Sequence, residues 1–545
     1  MEPAHGGDAV VGAVRRFGVE TMFTLSGGHV FPLYDGAVRA GNRPRIVDVR
    51  HEQTAVFAAE ATARLTRRPG LAVLTAGPGV TNGVSGITTA HFNGSPVVVL
   101  AGRAPRGRWG SGALQELDHP PLVAPVTKLA ATSAGPEALV PDVVRAFGAA
   151  MAPHRGPVFL DFSLEDLFGP AAPVPYEPAH VTVRPEPDPD AIAAAAALLA
   201  GARHPVLVLG SDVWTDGADE AARAFAEEFG LPVVANGQAR GILPAGHELL
   251  VTRARGPAFE RADLVIVAGA PLDFRLKYGS FAGGRADVVH LADSPGQLAT
   301  HVAATGAAGD LTEVFTRLAA ACGKAGASPA AHSAWTGELR DTARAAIAAD
   351  AALLASDADP IHPLRVYGEL SRVLADDAVV IGDGGDFVSY AGKHLEPRRP
   401  GCWLDPGPYG CLGTGLGYAA AARLARPSAQ VVLLLGDGAA GFSLMDADTL
   451  VRHGLPVVMI VGNNGIWGLE KHPMRGLYGY DVAADLQPHC RYDEVVRALG
   501  GAGEQVVRPG QIGPALRRAF DSGVPYLVNV STDPADAYPR STTGV

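Results

Sequence analysis

Two residues, Asp437 and Asn464, carry the most specific chemistry in this 545-residue sequence. Asp437 stands in "QVVLLLGDGAAGF" and Asn464 in "PVVMIVGNNGIWG", each just beyond an apolar run. An Asp carboxylate, an Asn carbonyl and a nearby main-chain carbonyl make an all-oxygen donor set, which suits a Mg²⁺ ion that also holds phosphate oxygens. The small residues after Asp437 (Gly438, Ala439 and Ala440) leave backbone N–H groups open to an anion where a helix begins. Asp-Gly and Asn-Gly also end strands without any ligand, because both favour turns. Spacing favours the metal. Asp437 and Asn464 are 27 residues apart, enough for strand, helix and strand, so adjacent parallel strands would bring them together.

The elements that must position them are written along the whole chain. Short apolar runs such as "RIVDV", "LAVLTAG", "PVVVLAG", "PVLVLG", "DLVIVAG", "AVVIGDG", "QVVLLLGDG" and "PVVMIVGNN" alternate with Ala-rich segments of helical period. Runs of this length bounded by Gly or Pro indicate parallel strands in α/β layers. Such sheets bind ligands beyond the carboxyl ends of their strands, where both residues fall. The Pro-rich stretch "FGPAAPVPYEPAHVTVRPEPDPD" (Phe168 to Asp190) is a linker, since it holds neither a regular helix nor a central strand. A weaker break lies near "CGKAGASPAAHSAW", and "ASDADPIHP" opens the next unit. The expected division is 1–170, 188–335 and 355–545, three doubly wound parallel-sheet α/β domains of ordinary size.

Bulk properties exclude several classes. The 45 basic and 56 acidic residues give a formal charge of −11 without a basic block, which argues against a nucleic-acid surface. The four cysteines (Cys322, Cys402, Cys411, Cys490) show no CxxC spacing, so they suggest neither a zinc site nor a disulfide framework. No apolar run approaches the roughly 20 residues of a membrane span. The stretch "MEPAHGGDAVVGAVRRFG" lacks the charged-then-apolar pattern of a signal peptide. A cytoplasmic protein without membrane or nucleic-acid partners is expected.

At this spacing, the Gly-Asp-Gly and Asn-Asn pair resembles the thiamine-diphosphate motif of the superfamily of acetolactate synthases, oxalyl-CoA decarboxylases and 2-hydroxyacyl-CoA lyases. The likeness runs along nearly the whole chain, towards actinobacterial acetolactate-synthase-like proteins. It implies thiamine diphosphate and Mg²⁺, with Asp437, Asn464 and the Ile466 carbonyl on the metal and Gly436, Gly438 and Ala439 along the diphosphate. It also implies a pyrimidine-binding first domain, a central nucleotide-binding domain and a diphosphate-binding third domain. Such a cofactor activates its own thiazolium carbon once a carboxylic acid has tautomerised its aminopyrimidine. In "VDVRHEQTAVFAAEATARLTRRPG", Glu52 follows a strand and opens an Ala-rich helix, where burial would raise its pKa. Alone, it reads more commonly as a Glu favoured by the helix dipole. "RHEQTAVFAAEATAR" and "TAGPGVTNGVSGITTAHFNGSPVVVLAG" are similar to the family's pyrimidine domain, which implies that Glu52 is the activating acid. Leu412, 25 positions before Asp437 in "YGCLGTGLGYAAAARLARP", matches the apolar wedge that bends the cofactor, and otherwise reads as core. "GDGGDFVSYAG" resembles a second diphosphate loop, with Gly385, Asp386 and Phe387 as contacts. In the family the two cofactor domains come from different subunits, which implies a homodimer or homotetramer.

The central stretch "TRARGPAFERADLVIVAGAPLDFRLKYG" resembles the CoA-using branch, with Arg253 or Arg255 on a phosphate. Surface arginines are the alternative. In "HLADSP", Ala292 stands where a ribose-binding Asp is common, and Asp293 is displaced by one. ADP, CoA and FAD therefore all stay open. Gln115 in "GSGALQELDHPPLVAPVTK" matches the family's active-site Gln. Glu470 in "GIWGLEKHPM" reads as a proton shuttle to a substrate hydroxyl or as a solvated Glu beside Lys471. His29 in "LSGGHVFPLYDG" either faces the substrate or is an idle loop histidine. The arginines and Glu470 incline the reading towards a C–C lyase and carboligase, cleaving a 2-hydroxyacyl-CoA to formyl-CoA and an aldehyde or ketone. An acetolactate synthase condensing 2-oxo acids, an oxalyl-CoA decarboxylase and a benzaldehyde-lyase-like enzyme remain open. A non-catalytic nucleotide sensor is disfavoured by the intact Glu52, Asp437 and Asn464.

Overall fold

The computed structural model describes residues 4–171, 184–536 and 538. Its first sheet contains β1 (Thr21–Thr24), β2 (Arg45–Asp48), β3 (Gly70–Leu74), β4 (Val97–Arg103), β5 (Leu129–Thr132) and β6 (Val158–Ser163). The second contains β7 (Pro205–Leu209), β8 (Val233–Ala235), β9 (Leu264–Ala268), β10 (Asp287–Ala292) and β11 (Thr305–Ala308). The third contains β12 (Val379–Asp383), β13 (Trp403–Leu404), β14 (Val431–Gly436), β15 (Val458–Asn463), β16 (Ala502–Val506) and β17 (Tyr526–Ser531). Every apolar run quoted above forms a strand. Central strands such as β3 and β7 are buried throughout, because helices cover both faces of a parallel sheet. The linker's residues 172–183 lie outside the described residues. Among those described, no helix is long and apolar enough to cross a membrane. All four cysteines are free thiols.

The strand orders are β2-β1-β3-β4-β6-β5, β11-β10-β9-β7-β8 and β13-β12-β14-β15-β17-β16. Counted from its own first strand, the third sheet repeats the order of the first. Each reverses direction next to its first strand, at β1/β3 and β12/β14, and a crevice opens at such a point beyond the carboxyl ends. The chain packs as two compact units, 1–182 with 381–389 and 405–545, and 183–380 with 390–404. The first and third sheets thus contribute to one unit, and the segment before β12 packs with the central sheet.

Within the first unit, the helix Glu52–Thr66 lies against the helix Gly415–Ala425. A Cβ at Gly417 would sit 2.8 Å from the Thr54 carbonyl oxygen, so only glycine permits this approach. A buried polar network crosses the same contact. Glu60 accepts from Tyr418 Oη and Asn93 Nδ2, both at 2.7 Å, and lies 3.7 Å from Arg64 Nη1. Arg64 in turn donates to the Asp405 carbonyl at 2.7 Å. At the end of β12, fully buried Asp383 accepts from the amides of Gly413 (3.1 Å) and Gly415 (2.8 Å). It thereby shapes the turn that carries Leu412. Burial pushes the Asp383 carboxyl up to about 7.

Two predictions follow from these buried acids. Glu60→Ala strands Arg64 without its carboxylate and should destabilise the protein by about 3 kcal/mol or more, read from denaturant unfolding. Because Asp383 has a folded-state pKa above its ordinary 3.8, the native state holds the extra proton between that value and about 7. Its contribution is therefore present in acid and lost as pH rises through about 7. The melting temperature of the cofactor-free protein should fall over this window, and Asp383→Asn should flatten that slope.

Candidate active site

The third sheet brings the predicted diphosphate and metal residues into one cavity. β14 and β15 are adjacent and parallel, with Gly436 opposite Gly462. That register sets Asp437 and Asn464 side by side, as their spacing required. The Asp437 side chain is buried, and it accepts from the amides of Gly438 (3.0 Å) and Gly465 (2.6 Å). Burial still lifts its carboxyl to about 6, so backbone donors alone do not offset the desolvation of its charge. Asn464 Oδ1 accepts from the Ile466 amide at 3.2 Å. The surrounding cavity, about 290 Å³, is lined by Gly385, Asp386, Phe387, Leu412, Gly436, Asp437, Gly438, Ala439, Asn464 and Ile466, all named from sequence, but not by Ala440. Trp467 and Glu470 line it too.

Close packing explains the glycines. A Cβ on Gly438 would meet the Trp467 ring at 2.4 Å, and one on Gly385 would meet Leu469 at 2.6 Å. Asp386 is buried at the start of the helix Asp386–His394, and its Oδ1 accepts from the Tyr538 amide at 2.7 Å. A buried carboxylate, an amide oxygen and a cradle of small residues are what Mg²⁺ and a diphosphate require, so this donor set fits both.

The first sheet presents a second cluster. Glu52 begins its helix behind the cap His51, whose Nδ1 accepts from the Gln53 amide. Its side chain is 6% exposed, and Oε2 accepts from Asn82 Nδ2 at 3.0 Å. Asn82 belongs to the helix Pro78–Phe92, which starts just beyond β3. His29, beyond β1, is buried with Nδ1 3.3 Å from Thr75 Oγ1. Burial holds its imidazole below the usual histidine value, so it is neutral near pH 7. Gln115 is half-buried in a left-handed conformation, φ +58°, which is uncommon for a side-chain-bearing residue and concentrates at functional sites. Glu52 does not line the 290 Å³ cavity of the third sheet.

The sequence did not single out Asn82, His119, Asp161 or Asp383. Only Asn82 had a local signal, its place one turn into a helix that begins Gly-Pro-Gly.

The two central-domain arginines named from sequence both have partners within the protein. Arg253 donates to Asp350 (2.6 Å) and to the carbonyls of Ala346 (3.0 Å) and Lys393 (3.1 Å). Arg255 donates to the Arg275 carbonyl and lies over the Phe259 ring. Both guanidinium groups are engaged with the protein's own acceptors and π-face. Asp293 is buried just beyond β10.

Comparison with known proteins agrees with this geometry. The sequence matches the thiamine pyrophosphate enzyme N-terminal TPP binding domain over residues 4–122, the central domain over 192–318 and the C-terminal TPP binding domain over 383–530. It is 49% identical over 540 residues to an acetolactate synthase large subunit, IlvG, of Mycobacterium tuberculosis, covering 98% of this chain and 97% of the relative. Its identity to 2-hydroxyacyl-CoA lyase 2 is 34% in Caenorhabditis elegans, over 92% of this chain and 84% of the relative. The corresponding protein of Danio rerio is 32% identical, over 97% and 92%. With all three domain matches on one chain and a relative 49% identical over 98% of it, the protein belongs to the thiamine-pyrophosphate-dependent enzymes.

Proposed function

We propose that the protein is a carbon–carbon carboligase and lyase of the acetolactate-synthase type, taking a free 2-oxo acid as donor. The carrying observation is the state of Arg253 and Arg255. They are the cations that a CoA phosphate would need, and both are spent on internal acceptors. The 49% relative named as an acetolactate synthase supports the same reading. A second reading, cleavage of a 2-hydroxyacyl-CoA, is favoured by Glu470. It is exposed at the cavity, where it can exchange a proton with a substrate hydroxyl.

When bound, thiamine diphosphate supplies a thiazolium carbon that attacks a carbonyl and stabilises the carbanion left after CO₂ or an aldehyde departs. The chain's own groups do the rest. Asp437, Asn464 and the Ile466 carbonyl hold Mg²⁺, and Gly385, Gly438 and Ala439 leave room for the diphosphate. Leu412 supplies an apolar wall. Asn82 fixes one oxygen of Glu52, which leaves Oε1 to hold and return a proton. Gln115 and His29 face the substrate, with neutral His29 able either to donate or to accept. Because Glu52 stands apart from the diphosphate cavity, the proposal includes a homodimer in which each site takes its acid from one copy and its metal ligands from the other. A nucleotide in the central domain, FAD or ADP, would be held by groups other than Arg253 and Arg255.

The test reconstitutes the protein with thiamine diphosphate and Mg²⁺ and offers pyruvate or 2-hydroxyisobutyryl-CoA. Acetolactate and CO₂ from pyruvate are expected; formyl-CoA and acetone from the thioester, with pyruvate untouched, would replace this reading with the second. Glu52→Gln should keep cofactor binding and lose turnover by about 100-fold or more. Undiminished turnover would remove Glu52 from its role.

A further inference from the structure

A buried relay in the first domain has so far been given no task. His119 is wholly buried, with Nδ1 2.8 Å from Asp161 Oδ2. Its Nε2 accepts from the Gly77 amide at 2.9 Å. A backbone amide only donates, so Nε2 carries the lone pair and Nδ1 the proton. The ring is therefore a neutral imidazole of one tautomer, donating to Asp161. Asp161, also wholly buried, accepts in addition from Arg103 Nη1 at 3.2 Å. Arg103 is itself fixed by Asp118 at 2.9 Å and by the Trp109 ring, whose centroid is 4.0 Å away.

What this relay holds is the turn between β3 and the helix Pro78–Phe92. Gly77 has φ +59°, and a Cβ there would fall 2.9 Å from Gln115 Cβ and 3.0 Å from its carbonyl oxygen. The strained backbone of Gln115 thus rests directly on Gly77. The same turn touches the other candidate residues. Thr75 meets His29, as described, and a Cβ on Gly79 would stand 3.8 Å from Glu52 Oε1. One short turn, residues 75–79, therefore underlies Gln115, His29 and Glu52 together. At its middle the Gly77 amide donates to a side-chain acceptor, the buried imidazole of His119.

We propose that His119, oriented by Asp161, is a positioning residue that pins the Gly77 amide and through it sets Gln115 against the substrate. This rests on the reading of Gln115 as substrate-facing. The geometry has the logic of a carboxylate that fixes the tautomer of a histidine, with a backbone turn rather than a nucleophile as the object held. A displacement of about 1 Å at a reacting group costs up to about 100-fold in rate, so a modest shift of this turn is enough to matter.

The test uses the holoenzyme and four single variants: His119→Leu, His119→Gln, Asp161→Asn and Gln115→Ala. Leucine removes the acceptor for Gly77, glutamine keeps one, and D161N preserves volume while releasing the tautomer. Amide hydrogen exchange over 75–79 should speed up in H119L and D161N, stay near that of the unaltered protein in H119Q, and not change in Q115A. The kcat should fall about 10- to 100-fold in H119L and D161N, with cofactor half-saturation held within about twofold and H119Q restoring most of the rate. Added to Q115A, D161N should cost less than about twofold more, because coupled residues are not additive. Unchanged exchange at 75–79, or fully additive losses in Q115A/D161N, would overturn the proposal and leave the relay a purely structural one. If H119L does not fold, D161N and H119Q carry the same comparison. If the unaltered protein turns over neither substrate, the functional reading fails, while the exchange result still decides whether His119 pins the turn.

Discussion

A carboxylate buried away from a cation is costly, and Asp437 is held under that constraint. Two backbone amides meet it, yet its carboxyl still sits near 6. Neutral donors stabilise the charge only in part; a divalent cation at the proposed site would do the remainder. Much of the surrounding structure is arranged to keep this charge where an ion can reach it. The β14–β15 register sets Asn464 beside it. Glycines at 385 and 438 let Leu469 and Trp467 pack closely against the backbone around it. Asp383 fixes the Leu412 turn on the facing side without adding a second charge near the metal in acid, because its own pKa is also raised.

The repeated strand order gives the first and third sheets the same opportunity and different uses of it. Each has a crevice beside its first strand. In the third sheet the crevice, at β12/β14, carries the Asp437 carboxylate, which the Gly438 and Gly465 amides already meet. In the first, at β1/β3, it carries His29, Thr75 and the Gly77 turn. Glu52 stands beyond the neighbouring β2, in the first turn of an almost wholly buried helix. That helix also supplies Glu60 and Arg64 to the contact with Gly415–Ala425. The acid and the packing of the two sheets' helices are therefore parts of one rigid element, and a change at Glu60 acts on the same helix that presents Glu52.

Residues whose partners are local or set by strand register could be read from the sequence; residues whose partners come from far along the chain could not. The apolar runs report burial on both faces of a strand, so all of those quoted became strands. Asp437 and Asn464 were legible because a strand–helix–strand unit leaves few ways to arrange two strand ends. Leu412 and Glu52 were named through spacing and likeness; Leu412 lines the third-sheet cavity and Glu52 does not. Arg253 is different: its partner Asp350 is 97 residues away, and nothing near Arg253 announces that its charge is already answered. His119 and Asp161, 42 residues apart, look like an ordinary loop histidine and an ordinary strand Asp until the fold joins them. The left-handed backbone of Gln115 has no sequence signature either, since glutamine has no preference for that region.

The metal clip says what class of chemistry is available and leaves the choice of substrate to other residues. Any reaction of the class needs the same ion and the same activating acid, so discrimination must come from the groups around them. On the third-sheet side these are Trp467 and Glu470, which share the turn after Asn464. Trp467 presses so closely on Gly438 that a side chain there would collide with its ring, and it also meets Phe442 edge-on with ring centroids 6.5 Å apart. Gly438 is consequently in direct contact with Trp467, the residue that precedes the helix Gly468–Tyr478, whose first turn carries Glu470. A substitution that enlarges residue 438 would displace Trp467 and, through the helix that follows it, the backbone carrying Glu470, so two walls of the same cavity respond together.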